Sequence, residues 1–416
     1  MKQSKDSEVL SVVHPVCCGI DVHKELVVAC VLTSAKGGSI EKVIKEFRTF
    51  TDALFELREW LLEFQCPIVA MESTGIYWQP LHNVLENDFE IVLVNARHMK
   101  NVPGRKTDVS DSQWITELLR HGLLKSSFIP PKYVRQWRDL SRLKKKQVSA
   151  VSSYKNRVHK LFESANIKID SVVSDLFGMT GRNLIDLLLS GQTVNFEAVK
   201  SCTRGKLKPK VNELYRSIKG FFTDHHRFLL ESLMRTVSHL EEEIGLIHSH
   251  MQHLLSDRKD IIDRLIEVPG IQETAAFAII SEIGDTLKTF ENSAALCSWA
   301  GVCPGNNQSA GKRKTGKIRV RGQLLKSTLI EVAWAAVKKK DSFFKEKYRR
   351  LRPRRGPKKA IVAIAHKILK VVFDIIRNGN RYVELGSIQF EKRKERSLSK
   401  LILELEKHGM KAVPAS

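Results

Sequence analysis

The sequence has no CxxC pair and no Cys/His cluster at zinc-ligand spacing. Its seven cysteines are Cys17, Cys18, Cys30, Cys66, Cys202, Cys297 and Cys303, an odd number set mostly in apolar context. A disulfide scaffold is excluded, and buried free thiols in a reducing compartment are expected. No apolar run approaches the roughly 18 residues a membrane span needs. The first eight residues, Met-Lys-Gln-Ser-Lys-Asp-Ser-Glu, lack the apolar stretch of a signal peptide. The expected location is cytoplasmic, with no membrane partner.

Acidic residues are scarce in one part of the chain only. Residues 1–127 hold 14 Lys+Arg and 17 Asp+Glu, whereas 128–416 hold 55 and 29, within a total net charge of +23. A near-neutral first domain and a strongly basic remainder point to a polyanion held by the remainder. The length allows two or three domains. Four segments are read: 1–127, 128–258, 259–386 and a charged tail, 387–416.

The first segment shows the order β-β-β-α-β-α-β-α. Two apolar runs flank the polar break His23–Glu25, and a third strand follows near 40–50. The apolar strand that starts at Pro67 ends in Glu72, and residues 90–95 form another. A mixed sheet with helices on its faces is the expected architecture. The last helix begins near Thr107, a candidate N-cap, with Asp108 and Asp111 on one face of its first turn and Ile115, Leu118 and Leu119 as its apolar side. Asp21, Glu72, Asp108 and Asp111 can all gather at the carboxyl ends of the strands. Like charges brought together repel, and a divalent cation removes the repulsion. All-oxygen ligation suits Mg²⁺ or Mn²⁺.

Gly19-Ile-Asp21-Val-His-Lys, Met71-Glu72-Ser-Thr-Gly75 and Lys106-Thr-Asp108-Val-Ser-Asp111 resemble the N-terminal domain of the DEDD transposases of the IS-one-ten/IS-eleven-eleven insertion sequences, with the Piv-like invertases as relatives. The resemblance implies a RuvC-like, RNase H-like fold in which these four acids hold Mg²⁺.

Residues 130–168 read as a basic helix with 11 Lys/Arg and two acids. Its apolar stripe is Val134, Trp137, Val148, Val151, Val158 and Leu161, and Lys144, Lys145 and Lys146 are candidate phosphate contacts. Residues 170–228 read as a mostly helical insertion. From Leu230 through Leu233, Val237, Leu240, Ile244, Ile247 and Met251 to Leu254 the spacing alternates three and four, a coiled-coil seam. Its partner is either the 130–168 helix folded back or the same helix of another subunit. Pro269-Gly270 separates two helical stretches, in the manner of a helix-hairpin-helix or an ordinary helix turn.

The stretch from Ala300 to Arg321 is a Gly-rich, polar, basic loop. It resembles the C-terminal domain of the same transposases, whose loop carries a serine needed for recombination. Ser309 takes that place, although Ala310 stands where the family has glycine, and Ser298 is a second choice. Residues 312–359 hold 19 basic and three acidic residues. Lys312, Arg313, Lys314, Lys317, Arg319, Arg321, Arg349 and Arg350 are the candidate nucleic-acid contacts there. Trp334, Phe343 and Phe344 are expected in the core, and Tyr348 fits either role. Beyond them a helix with Ile361, Ile364, Ile368, Val372 and Ile376 on one face is expected, then an amphipathic helix at 397–407.

The expected whole is multidomain α/β plus α: an RNase H-like domain, a helical coiled-coil segment and a mostly helical C-terminal transposase domain. The expected function is DNA cutting and rejoining, with Ser309 attacking a phosphate that the four acids address through Mg²⁺. The resemblance further implies double-stranded DNA, a structured guide RNA and a homo-oligomer, dimer or tetramer, as partners. Two other readings stand beside it: a RuvC-like junction nuclease that uses water, and a non-catalytic nucleic-acid-binding scaffold.

Overall fold

The computed structural model describes residues 11–34, 40–73, 75–95, 110–304, 307–309, 312–315, 323–386 and 388–410. Contact density divides the chain into two compact units, Met1–Ile129 and Pro130–Ser416.

The first unit has the element order read from its sequence: β1 (Cys17–Val22), β2 (Leu26–Ser34), β3 (Ile40–Arg48), α1 (Thr51–Glu63), β4 (Ile68–Glu72), α2 (Trp78–Leu85), β5 (Glu90–Val94) and α3 (Asp111–Arg120). The five strands form one mixed sheet, β3-β2-β1-β4-β5. β1–β2–β3 is antiparallel, while β4 and β5 run parallel to β1. Side chains alternate between sheet faces. Ile20, Val22, Val69 and Met71 therefore pack on one face with Leu54, Leu57 and Leu61 of α1 and with Leu81 and Leu85 of α2. Cys17, Ile68, Ala70, Val92 and Val94 pack on the other face with Ile115, Leu118 and Leu119 of α3.

α3 begins later than the sequence reading had it. Ser110, not Thr107, is the N-cap: its side chain accepts from the Gln113 N–H, and Asp111 is the first helical residue. The helix lies directly on β1. A Cβ at Gly19 would stand 2.4 Å from the Thr116 backbone nitrogen, so only glycine permits this approach. The Gly19 N–H donates to Thr116 Oγ1 at 3.0 Å. At the far end of α3, Arg120 donates to the Pro15 carbonyl at 3.0 Å. α3 thus runs opposite to β1, and its N-terminus lies toward the strand's carboxyl end.

The second unit is helical around two long helices, α4 (Lys132–Ser164) and, after three short helices, α5 (Met179–Leu189), α6 (Phe196–Cys202) and α7 (Val211–Ser217), α8 (Asp224–Leu254). α8 packs along α4, so the heptad seam finds its partner within the chain. Leu230, Val237, Ile247 and Met251 of the seam are buried. The α4 stripe is buried at Val134, Trp137, Val151, Val158 and Leu161, but Val148 is 42% exposed. The stretch read as an insertion, α5–α7, has its own core with the end of α4, including Phe162, Ile167, Leu184 and Leu214.

Next come α9 (Lys259–Ile266), α10 (Glu273–Ile283), α11 (Ser293–Trp299), the two-stranded β6 (Asn307–Ser309) and β7 (Lys312–Thr315), α12 (Gln323–Ala336), α13 (Phe343–Arg355), α14 (Pro357–Asn378) and α15 (Ile388–Lys407). The face of α14 read from spacing is buried, and α15 starts well before residue 397. Two buried acids at the end of α10, Glu282 and Asp285, fasten it to α4 and to the residue before α9. Glu282 accepts from Arg142 at 2.9 and 3.1 Å, and Asp285 from Tyr133 at 2.8 Å and Arg258 at 2.6 Å. Burial, then the bond to Asp285, pushes the Tyr133 hydroxyl above its usual pKa. All seven cysteines are free and five are buried. Burial pushes Cys17 and Cys297 up to about 12 and Cys66 to about 11. No helix among the described residues is long and apolar enough to cross a membrane.

Candidate active site

Asp21 and Glu72 occupy matching positions on neighbouring parallel strands. The β1–β4 register pairs Ile20 with Met71, and one residue further along each strand stand the two acids. By alternation both fall on the sheet face that α3 covers, because Asp21 shares the parity of Cys17 and Glu72 that of Ala70. Asp111 opens α3, whose N-terminus lies toward this same end of the sheet. Three acids distant in sequence thus share one face and one end. The α3 N-terminus adds a favourable field for negative charge.

Asp21 is largely covered, with 18% of its side chain exposed, and His23 Nε2 lies 3.1 Å from its Oδ2. Sequence reading took His23 only as part of the turn after β1. The signal was present in the Asp-x-His spacing at a strand end, which sets both side chains on one face.

An all-carboxylate donor set on one sheet face fits a hard divalent cation better than zinc. Among the described residues, no group of three or more His, Cys, Asp or Glu closes to metal-holding distance. Asp108, the fourth predicted acid, lies outside the described residues.

Two family models match this chain. One for DEDD transposases of the IS110 type, described as "Transposase", matches residues 18–167. One described as "Transposase IS116/IS110/IS902 family" matches residues 262–349. The chain belongs to the IS110 family of transposases. It is also 25% identical over 124 residues to "Putative transposase y4pF/y4sB" of Sinorhizobium fredii (strain NBRC 101917 / NGR234). That match covers 29% of this chain and 32% of the relative, so the chain spans about a third of the relative's length.

The first IS110 family model takes in the whole strand–helix unit from Cys18 and the long helix α4. The second takes in α9 through most of α13. Within the segment read as a loop, β6 and β7 pair antiparallel, with Ser309 opposite Lys312. Lys312, Arg313 and Lys314 lie on β7, while Lys317, Arg319 and Arg321 lie outside the described residues. Ser298, the second choice, is on α11.

The remaining predicted cations divide. Lys144 Nζ lies 2.9 Å from His248 Nδ1, and burial, opposed by Glu273, lowers the Lys144 pKa. Lys145 donates to Glu331 at 2.7 Å, and Lys146 is exposed. The triple-lysine run is therefore not one free cationic face, because its first two members engage neighbouring helices. Arg349 and Arg350 are exposed on α13. Phe343 and Phe344 are buried as expected, but Trp334 is 41% exposed and meets Tyr348 edge-on at 5.9 Å.

Proposed function

We propose that this IS110-family chain is a DNA recombinase that moves an insertion sequence, cutting and rejoining DNA strands. The observation that carries the reading is the alignment of Asp21 and Glu72 on neighbouring parallel strands, under the helix that Asp111 opens. The strand order and directions support a RuvC-like, RNase H-like domain. Asp21, Glu72, Asp108 and Asp111 would hold Mg²⁺ or Mn²⁺. When bound, such a cation supplies Lewis-acid polarisation of a phosphoryl oxygen.

The chain's own groups carry the rest. Asp21 keeps His23 at hydrogen-bond distance, which fixes the carboxylate's orientation. The Ser309 hydroxyl attacks the scissile phosphorus and loses its proton. The DNA leaving oxygen takes up a proton, and the broken strand stays linked to serine. A hydroxyl of a second strand then displaces Ser309 and rejoins the DNA. The basic second unit holds double-stranded DNA and a structured guide RNA, and the protein works as a homo-oligomer, a dimer or a tetramer.

The test is strand cleavage by full-length Asp21→Asn and Glu72→Gln proteins in Mg²⁺ with their co-purified RNA. Each substitution should lower cleavage at least about a hundredfold, the scale of losing one transition-state charge stabiliser. Duplex affinity should change less than about threefold, because phosphate contacts elsewhere dominate it. Wild-type cleavage by either variant would end the reading.

A further inference from the structure

A cleft of 730 Å³ lies within the second unit, walled by α4, by the turn and first residues of α10, and by α12. Its shape is fixed by the Pro269-Gly270 turn. Gly270 has φ of +87°, and a Cβ there would stand 2.3 Å from the Val332 carbonyl oxygen of α12. The turn is thus seated against that helix, and any other residue would push the wall away.

The lining combines three chemistries. Val268, Phe277 and Val332 give a buried apolar surface. Ser141 on α4 and Thr328 on α12 each line the cleft while only 6% exposed. A hydroxyl can both donate and accept a hydrogen bond, so two on one cleft suit a ligand with a polar edge. Cations complete the set: Lys144, Lys145 and Lys339 line the same space. The acids there are compensated, Glu331 by Lys145 at 2.7 Å and Glu267 by Arg381 at 3.3 Å.

An apolar body, a hydrogen-bonding edge and a negative charge together describe a nucleotide. The volume suits a small ligand and is too confined for a duplex. We propose that this cleft takes one unpaired nucleotide of a bound strand, the base between α10 and α12 with its edge on Ser141 and Thr328, and the phosphate toward Lys144 and Lys339. Extruding a base from a stack in this way is a general device of proteins that act on nucleic acids. The inference rests on the reading of the chain as a nucleic-acid enzyme, and it adds a position at which an unpaired base is held.

The test uses the full-length protein and 12-nucleotide single strands carrying one photoreactive base, 4-thiothymidine in DNA and 4-thiouridine in RNA. After irradiation, crosslinked peptides are mapped by mass spectrometry. Adducts are expected within 266–278 or 324–339, and whichever strand gives them is the source of the nucleotide. A Ser141→Ala/Thr328→Val protein keeps side-chain volume nearly constant. An Ala335→Phe protein fills the cleft from an exposed position on α12. Both should lose about tenfold in crosslink yield, the scale of one stacked base, with duplex affinity unchanged within about twofold. Adducts on other peptides, or undiminished yield in both variants, would overturn the proposal. Mg²⁺-dependent cleavage by the same preparations keeps the two readings apart: a protein that cleaves but crosslinks elsewhere loses only the cleft. Capture of an acidic peptide that the 12-nucleotide strands cannot displace would also overturn it.

Discussion

Gly19 is the residue on which the acid-bearing end of the sheet depends. Its missing side chain lets α3 sit on β1, and that contact sets where Asp111 stands relative to Asp21. Gly19→Ala should therefore destabilise the first unit by about 1–3 kcal/mol, the range for overpacking, measured by urea unfolding. Unchanged stability would show that α3 can shift without loss. A second residue-scale outcome concerns Glu241 on α8. Burial alone would raise its pKa, but Lys155 at 2.8 Å and Arg182 at 2.7 Å outweigh burial and hold the carboxyl below its usual value. A depressed carboxyl stabilises the fold above its unfolded pKa of about 4.3 and ceases to as pH falls through the folded value. The Glu241→Gln protein should lose part of the acid limb of a stability–pH curve between about pH 5 and 3. A curve parallel to wild type would mean the triad contributes nothing.

Elements differed in how legible they were. The three strands followed by alternation were readable because apolar runs and polar breaks follow the strand and helix periods. The seam of α8 was readable because its heptads do not slip. Its choice of α4 over a second subunit was not, since a period specifies a face and not what covers it. Within that pairing, Leu230→Ala should cost about 2–5 kcal/mol, as for other fully buried leucines, read from chemical denaturation. A cost under about 1 kcal/mol would mean the seam is loosely packed. Other elements were hidden for physical reasons. The β6–β7 pair has no apolar alternation, so it resembled a loop. The start of α3 was misplaced because Thr107 and Ser110 are both good caps. Trp334 was assigned to the core on its apolarity, yet it lies at the surface beside Tyr348. His23 and the Ser141/Thr328 pair went unread because their meaning comes from neighbours brought close only by folding.

At the scale of the whole molecule, charge is the organising quantity. All of the excess positive charge lies after residue 127, where the second unit and the second family match are found. DNA affinity should therefore fall steeply with salt, in proportion to the phosphates neutralised. Replacing Arg349 and Arg350 together by Gln should reduce the slope of log affinity against log salt by about two, measured by fluorescence anisotropy. An unchanged slope would remove α13 from the interface.

The central claim is that a serine of this chain becomes joined to DNA. The most direct measurement incubates the full-length protein, its co-purified RNA and Mg²⁺ with end-labelled DNA, resolves the products under denaturing conditions and maps any linked peptide by mass spectrometry. The account predicts a covalent protein–DNA species joined through Ser309 and absent from the Ser309→Ala protein. Efficient cleavage by Ser309→Ala, with no adduct in the wild type, would contradict it.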